Sequence, residues 1–270
     1  MSSKTAPFYV GCSGYYYPQW KNIFYPPKMA PKDWLGHYSS VFNTLELNGS
    51  FYSVPKLASL QKYYKSTPAD FRFSVKANKY FTHILRLKGC KGKIEEFESQ
   101  IREGLEDKLA CILFQFPPSF HYSKENLDLL LENIRSSSGN IIELRHTSWW
   151  KKEVFAALKE HSLSFCSVDY PGLSNELQRT SEVFYLRLHG TPELFKSDYN
   201  NCRLKAFFEQ IPTGAKAYYI YFNNTYYDAA FRNAKELIGM LNAGHESVFK
   251  EETRVLKRKP AGQQQIDFGG

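Results

Sequence analysis

The sequence predicts an α/β fold, a single (β/α)8 barrel, on three observations. Eight short segments rich in β-branched, aromatic and aliphatic residues recur along the chain, most intervals between them carry a helical pattern, and the whole series spans about 240 residues. Barrels of this kind typically occupy ~250 residues. The segments are Phe8–Gly14, Val41–Asn48, Phe71–Asn78, Leu109–Phe116, Asn140–His146, Leu163–Asp169, Val183–Gly190 and Lys216–Asn224. Their starts lie 33, 30, 38, 31, 23, 20 and 33 residues apart, room for a crossover each time. Helical spacing is clearest in Ile94, Phe97, Ile101 and Leu105, and in Leu127, Leu130, Leu131 and Ile134. Phe155 with Leu158 and the stretch Ala229–Leu241 repeat it. Proline and glycine punctuate the joints, as at Pro26-Pro27, Pro117-Pro118 and Pro171-Gly172. A doubly wound open sheet is the competing arrangement, but it usually places a glycine-rich phosphate loop after its first strand. Here that position reads Gly11-Cys12-Ser13-Gly14-Tyr15, without a third glycine or a following helix signal. The barrel is assigned to residues 7–243. Residues 244–270 lose periodicity, turn polar and are expected to form a flexible basic and polar tail.

Of the 270 residues 43% are hydrophobic and 16% aromatic, which excludes a largely disordered protein. Gln115 interrupts the most apolar run, Leu109–Phe116, so no membrane span is expected. The opening MSSKTAP lacks the apolar core of a secretory signal. Five cysteines at 12, 90, 111, 166 and 202 form no CxxC pair, which argues for a reduced, cytoplasmic protein without a disulfide framework or a cysteine zinc site. A net charge of +8 suits an anionic partner, a small phosphorylated ligand or nucleic acid. A merely soluble basic surface would give the same balance.

Side chains of a strand alternate, so parity separates the barrel lumen from the helix-facing side. Phe184, Leu186 and Leu188 oppose Tyr185, Arg187 and His189. Ile142 and Leu144 oppose Glu143 and Arg145, while Leu45 and Leu47 oppose Thr44, Glu46 and Asn48. Phe73 and Val75 oppose Ser74, Lys76 and Asn78, and Ile220 and Phe222 oppose Tyr219, Tyr221 and Asn223. Helix-facing positions must be apolar, so the polar sets are assigned to the lumen. Gln115 and Asp169 end the fourth and sixth segments. Most of these groups lie at the C-terminal ends of their strands, where barrel enzymes build their sites. The candidate catalytic residues are Glu46, Lys76, Glu143, Asp169 and His189. The candidate substrate-binding residues are Asn48, Gln115, Arg145, Trp149, Arg187, Tyr221 and Asn223. One buried ion pair could be structural, but seven charged or protonatable groups at one end exceed that need.

The same segments resemble the YecE-like family, the domain of unknown function 72. The matching stretches include Gly11-Cys12-Ser13-Gly14, Phe24-Tyr25-Pro26-Pro27, Asn43-Thr44-Leu45-Glu46-Leu47-Asn48 and Phe73-Ser74-Val75-Lys76. Further along they are Gln115-Phe116-Pro117-Pro118, Glu143-Leu144-Arg145-His146 with Ser148-Trp149, Arg187-Leu188-His189-Gly190 and Tyr221-Phe222-Asn223-Asn224. They run in the family's order over about residues 8–242. Cys12, where a threonine is usual, and Gly49 are small departures. The resemblance implies a TIM barrel and no specific activity. A suggested likeness of that barrel to endonuclease IV is analogy at the level of fold.

Several chemistries compete for these residues. His189 and the carboxylates, with His83 and His146 at the rim, suit a divalent metal. Lys76, Arg145 and Arg187 among them would repel one, and neither HxH nor HExxH occurs, so no metal ligand is assigned and no cofactor motif is found. Glu46 and Glu143 could serve as the paired carboxylates of a metal-free glycosidase-like enzyme. The aromatics Tyr15, Tyr16, Tyr17, Trp20, Phe51, Tyr52, Trp149, Trp150, Tyr226 and Tyr227 would then stack on sugars or bases. Lys76 could form a Schiff base. A non-catalytic ligand-binding barrel is the remaining alternative. The favoured reading is a hydrolase- or lyase-like enzyme on a phosphate-containing substrate, nucleic acid included. Glu143 or Glu46 is its general base and Arg145 with Arg187 its anion clamp. In the tail, Gln263-Gln264-Gln265-Ile266-Asp267-Phe268 resembles the short peptides that dock on the bacterial sliding clamp, although a plain disordered end is the better account of it.

Overall fold

The computed structural model describes residues 6–256. All eight expected segments are strands: β1 Phe8–Cys12, β2 Thr44–Leu47, β3 Arg72–Lys76, β4 Leu109–Gln115, β5 Asn140–Glu143, β6 Ser164–Asp169, β7 Val183–Leu188 and β8 Ala217–Phe222. They pair in parallel in the order β1-β8-β7-β6-β5-β4-β3-β2. Among the described residues seven α-helices cover the outside: α1 Trp34–Val41, α2 Leu57–Lys65, α3 Lys91–Leu105, α4 Lys124–Asn133, α5 Lys152–Glu160, α6 Asn201–Glu209 and α7 Ala229–Leu256. Their buried residues follow the expected stripes, with Ile94, Phe97, Ile101 and Leu105 on α3 and Leu127 and Leu130 on α4. This is a TIM barrel.

The seam between β1 and β2 is closed largely by side chains. Tyr38 on α1 inserts its hydroxyl between the strands, accepting from the Cys12 amide at 2.7 Å and donating to the Thr44 carbonyl at 3.0 Å. Asn43 does the same lower down, accepting from Val10 N at 3.0 Å and donating to Phe8 O at 2.9 Å. Direct pairing resumes only at the top, where Gly14 N donates to Glu46 O at 2.9 Å. The close approach requires glycine at position 11, because a Cβ there would lie 2.2 Å from the Thr44 carbonyl oxygen.

Two features depart from an ideal alternation. No helix joins β6 to β7; instead residues 178–180 run back along β6. Thr180 Oγ1 accepts from Phe165 N at 2.8 Å and donates to Leu163 O, and Gln178 N donates to Ser167 Oγ at 2.9 Å. The interval of 20 residues, opened by Pro171-Gly172, is spent on this extended return. At the C-terminus α7 continues to Leu256, so the expected division at 243/244 falls within a helix. Residues 257–270, including the proposed docking peptide Gln263–Phe268, lie outside the described residues. Among the described residues no helix is long and apolar enough to cross a membrane.

Candidate functional site

The lumen is layered by strand parity. Its lower part is filled by Cys111, Leu113, Ile141, Cys166, Val168, Tyr185, Tyr219 and Tyr221. The Tyr221 hydroxyl bonds Thr44 Oγ1 at 2.6 Å and Ser74 Oγ at 2.8 Å, so this expected substrate-binding residue is fully buried below the site.

Above it lies an ionic layer centred on Arg187 of β7. Its Nε and Nη2 donate to Glu46 Oε2 and Oε1 at 3.0 and 2.7 Å, and its Nη1 donates to Glu143 Oε2 at 2.7 Å. The guanidinium therefore bridges carboxylates from β2 and β5. Ser13 Oγ and Tyr185 Oη also donate to Glu46, at 2.6 and 2.7 Å, and Arg145 Nε donates to Glu143 Oε1 at 2.6 Å. Burial alone would raise the Glu46 carboxyl, but the Arg187 charge and these hydrogen bonds outweigh it and hold the group below its usual range. Glu143 is held well below by the charges of Arg145 and Arg187, again against burial. Neither glutamate has an oxygen free, so the general-base role expected of them does not suit their surroundings. With Arg187 shared between them both carboxyls are held low, whereas a glycosidase-like pair needs one raised and one lowered.

His189 sits beside this layer, with Nε2 3.6 Å from Glu143 Oε1 and Nδ1 2.9 Å from Asn223 Nδ2. Burial, reinforced by the Arg187 charge, pushes it down to about 3, which makes it a neutral ring.

A cavity of about 390 Å³ opens over these groups at the C-terminal ends of the strands. Asn48, Lys76, Gln115, Arg145, Arg187 and Asn223 line it, as expected. Phe51, Tyr52 and His83 line it from the loops after β2 and β3, and Pro118, Phe195 and Thr225 complete its wall. Lys76 Nζ lies 4.0 Å from the centre of the Phe51 ring and has no hydrogen-bond or ion-pair partner among the described residues. Burial, then the nearby Arg187 charge, pushes Lys76 down to about 7, against the opposing pull of Glu143. His83 is pushed down to about 4 by burial and by Lys76. The Oδ1 of Asn48 is buried without a partner. Among the described residues only Nε of the Arg145 nitrogens is engaged, and its guanidinium lies 4.9 Å from the Tyr170 ring centre.

Besides Tyr221, two further expected site residues, Asp169 and Trp149, stand away from the cavity. Asp169 follows Val168, whose side chain fills the lumen, so its own points to the helix-facing side. There it accepts from Thr191 Oγ1, the Tyr199 hydroxyl and, at 2.9 Å, Arg203 Nη2, tying the segment after β7 to the end of β6. Trp149 is fully buried, donating Nε1–H to Phe120 O at 2.6 Å and stacking on the Phe120 ring. His146, expected at the rim, instead stacks on His121 at 4.0 Å. Ser13 and Tyr185 were missed as supports of Glu46. Tyr185 was legible in principle, two residues before Arg187 on the same face. Among the described residues no group of three or more His, Cys, Asp or Glu side chains is arranged to hold a metal ion.

The comparisons agree with this architecture. A family model described as a protein of unknown function, DUF72, matches residues 9–260. The chain is 33% identical over 171 residues to the UPF0759 protein YunF of Bacillus subtilis, covering 60% of this chain and 57% of that protein. It is 24% identical over 147 residues to the UPF0759 protein YecE of Escherichia coli, covering 53% and 50%. The chain thus spans about half the length of the curated relatives it matches. A solved DUF72 family protein from Thermotoga maritima superposes with a TM-score of 0.80 at 32% identity, over 87% of this chain and 99% of that one. A second, from Enterococcus faecalis, gives 0.73 at 20% identity over 97% and 100% and bears on the fold alone. With the family model matching nearly its whole length, and a barrel of the same shape behind it, the chain belongs to the DUF72 family.

Proposed function

We propose that the cavity holds the phosphate of a phosphorylated substrate, and that the protein is a hydrolase- or lyase-like enzyme in which Lys76 handles the proton. The observation that carries this is an imbalance of charge. Glu46 and Glu143 are taken up by Arg187 and by Arg145 Nε, whereas the terminal amino groups of Arg145 and the Lys76 ammonium line the cavity without a carboxylate. Three cations stand against two carboxylates, and an anion with several acceptor oxygens completes the set. The clamp differs from the expected one. Arg187 has all three nitrogens engaged, so the anion falls to Arg145 and Lys76. The Asn48 amide is free to bond a substrate hydroxyl. An amine brought down to about 7 exchanges a proton readily at neutral pH, which the two saturated glutamates cannot do. Nucleic acid is the larger form of the same substrate class.

Calorimetric titration with inorganic phosphate tests the reading. Saturable binding is expected, weakened about tenfold or more by Arg145→Ala and by Lys76→Met, in keeping with charge-assisted bonds of ~1.5–3 kcal/mol. Absence of binding, or variants that bind as the wild type does, defeats it. A panel of phosphorylated compounds then separates enzyme from binder: Lys76→Met abolishes turnover in the first case, and no compound is turned over in the second.

A further inference from the structure

Resting on the phosphate reading above, we infer that the rim of the cavity is a stacking platform for single-stranded nucleic acid whose terminal phosphate enters the cavity. The aromatic residues that look alike in the sequence differ widely in exposure, with Tyr15, Tyr17, Phe51 and Trp150 half-buried between two extremes. Trp20 and Trp149 are fully buried: Trp20 donates Nε1–H to Tyr227 O at 2.9 Å and packs on Phe231, and Trp149 is enclosed by Phe120 and Tyr122. Tyr52, Tyr226 and Tyr227 are instead 72%, 54% and 58% exposed.

The placement of the exposed set is not random. Within residues 6–243 every exposed large apolar side chain lies in the segment that follows β7, β8, β1, β2 or β3, five strands consecutive around the barrel. The loops after β4, β5 and β6 contribute none. Tyr52 and Phe195 line the cavity itself, and Tyr226 is joined to Phe195 by a backbone bond of 3.1 Å. The arc therefore begins at the cavity mouth and runs outward from it.

Charge decides what the arc would hold. Lys79 lies 5.6 Å from the Tyr52 ring centre, Lys93 5.1 Å from that of Tyr80, and Lys196 5.1 Å from that of Tyr226. Lys196 also has Glu193 at 3.9 Å, an exposed pair that salt screens. Protein-binding patches are depleted in lysine at their centres, and neutral sugars have no use for it. A ring with an ammonium beside it matches a strand in which each flat base is followed by a phosphate. The net charge of +8 favours the same partner at longer range.

Fluorescence anisotropy of the full chain with a fluorescein-labelled oligothymidylate carrying a free 5′ phosphate tests the inference. Binding is expected, with a Kd that rises steeply with salt. Tyr52→Ala and Tyr226→Ala should each weaken it about fivefold or more, since both side chains are exposed and their loss spares the core. Lys159→Ala, on an exposed position of α5 at the opposite end of the barrel, should change it by less than about twofold if contact is local to the arc. No binding by the wild type, or equal weakening by Lys159→Ala and the rim variants, overturns the inference. Inorganic phosphate titrated into the wild type separates the two readings. Phosphate bound with the oligonucleotide ignored removes the platform alone. The oligonucleotide bound through the rim, but unaffected by loss of its 5′ phosphate or by competing phosphate, breaks its link to the cavity.

Discussion

Arg187 and Lys76 are both cations at the C-terminal ends of lumen strands, and both border the same cavity, yet their surroundings are opposite. Arg187 is 1% exposed and donates from every nitrogen, holding two glutamates from different strands. Its charge is fully matched and its guanidinium is raised well above the ordinary range by Glu143 and Glu46 despite burial. Lys76, four strands away on β3, has no matching carboxylate and is pushed the other way. The first arrangement fixes the relative positions of β2, β5 and β7. The second leaves interaction energy unspent, available to something that enters from outside. A buried ion that is fully paired supports a scaffold, whereas one left unpaired beside a cavity marks a site.

The strongest way to break this comparison is Arg187→Met. It leaves Glu46 buried without a counter-charge and Glu143 with Arg145 alone, and a loss of about 3–5 kcal/mol is expected in chemical denaturation. A loss below ~1 kcal/mol would mean that the ionic layer does not hold the barrel together. Tyr38→Phe offers a neutral counterpart at the seam, stranding the Cys12 amide and the Thr44 carbonyl. It should cost about 1–3 kcal/mol in the same measurement, and a neutral outcome would show that the seam pairs without the hydroxyl.

Asp169→Asn sharpens the comparison from outside the lumen. It weakens the bonds to Thr191, Tyr199 and Arg203 and should lower stability by about 1–2 kcal/mol while phosphate affinity stays within twofold of the wild type. A large loss of affinity would return Asp169 to the site.

Lys76→Met should be the mildest for stability and carries a definite sign. The folded value near 7 lies below the ordinary lysine value of 10.5, so the folded state binds this proton less tightly than the unfolded one. The penalty is fully present below about 7 and is relieved as pH rises towards 10.5. The variant should therefore be at least as stable as the wild type at pH 6, and its advantage should fade between pH 7 and 10.5. An advantage that grows over that range would contradict the assignment. On the acid side the signs run the other way. Glu46 and Glu143 are held below their ordinary value, so their contribution is present above pH 4.5 and is lost as pH falls through their folded values. His189, neutral in the fold down to about 3, adds to the same acid loss below 6.5, so His189→Asn should flatten the stability profile between about pH 3 and 6.5.

Much of the site was legible because parity works where one face of a strand is polar. Tyr185-Leu186-Arg187-Leu188-His189 alternates cleanly, and Glu46, Glu143 and Lys76 were placed in the lumen by the same rule. It fails on β6, where Phe165, Cys166 and Val168 give apolar residues on both faces, as buried parallel strands do. Asp169 was therefore included by its place at a strand end, and the pattern offered nothing to correct it. Trp149 lies in a loop, where no periodicity separates a buried plug from an exposed platform. The same gap hid the difference between Trp20 and Tyr52.

The sequence by itself determined the eight strands, their order, the barrel and most of the polar groups that gather at its C-terminal end. Periodicities of 2 and 3.6 are properties of the local chain and need no knowledge of distant neighbours. Only the tertiary structure decided which charges neutralise one another. Arg187 meets Glu46 across 141 residues of chain and Glu143 across 44, and that pairing settles which cations remain for a ligand. Composition supplies the charges, but Coulomb energy depends on separations of a few ångströms in a medium of low polarity, and those are fixed only when the barrel closes.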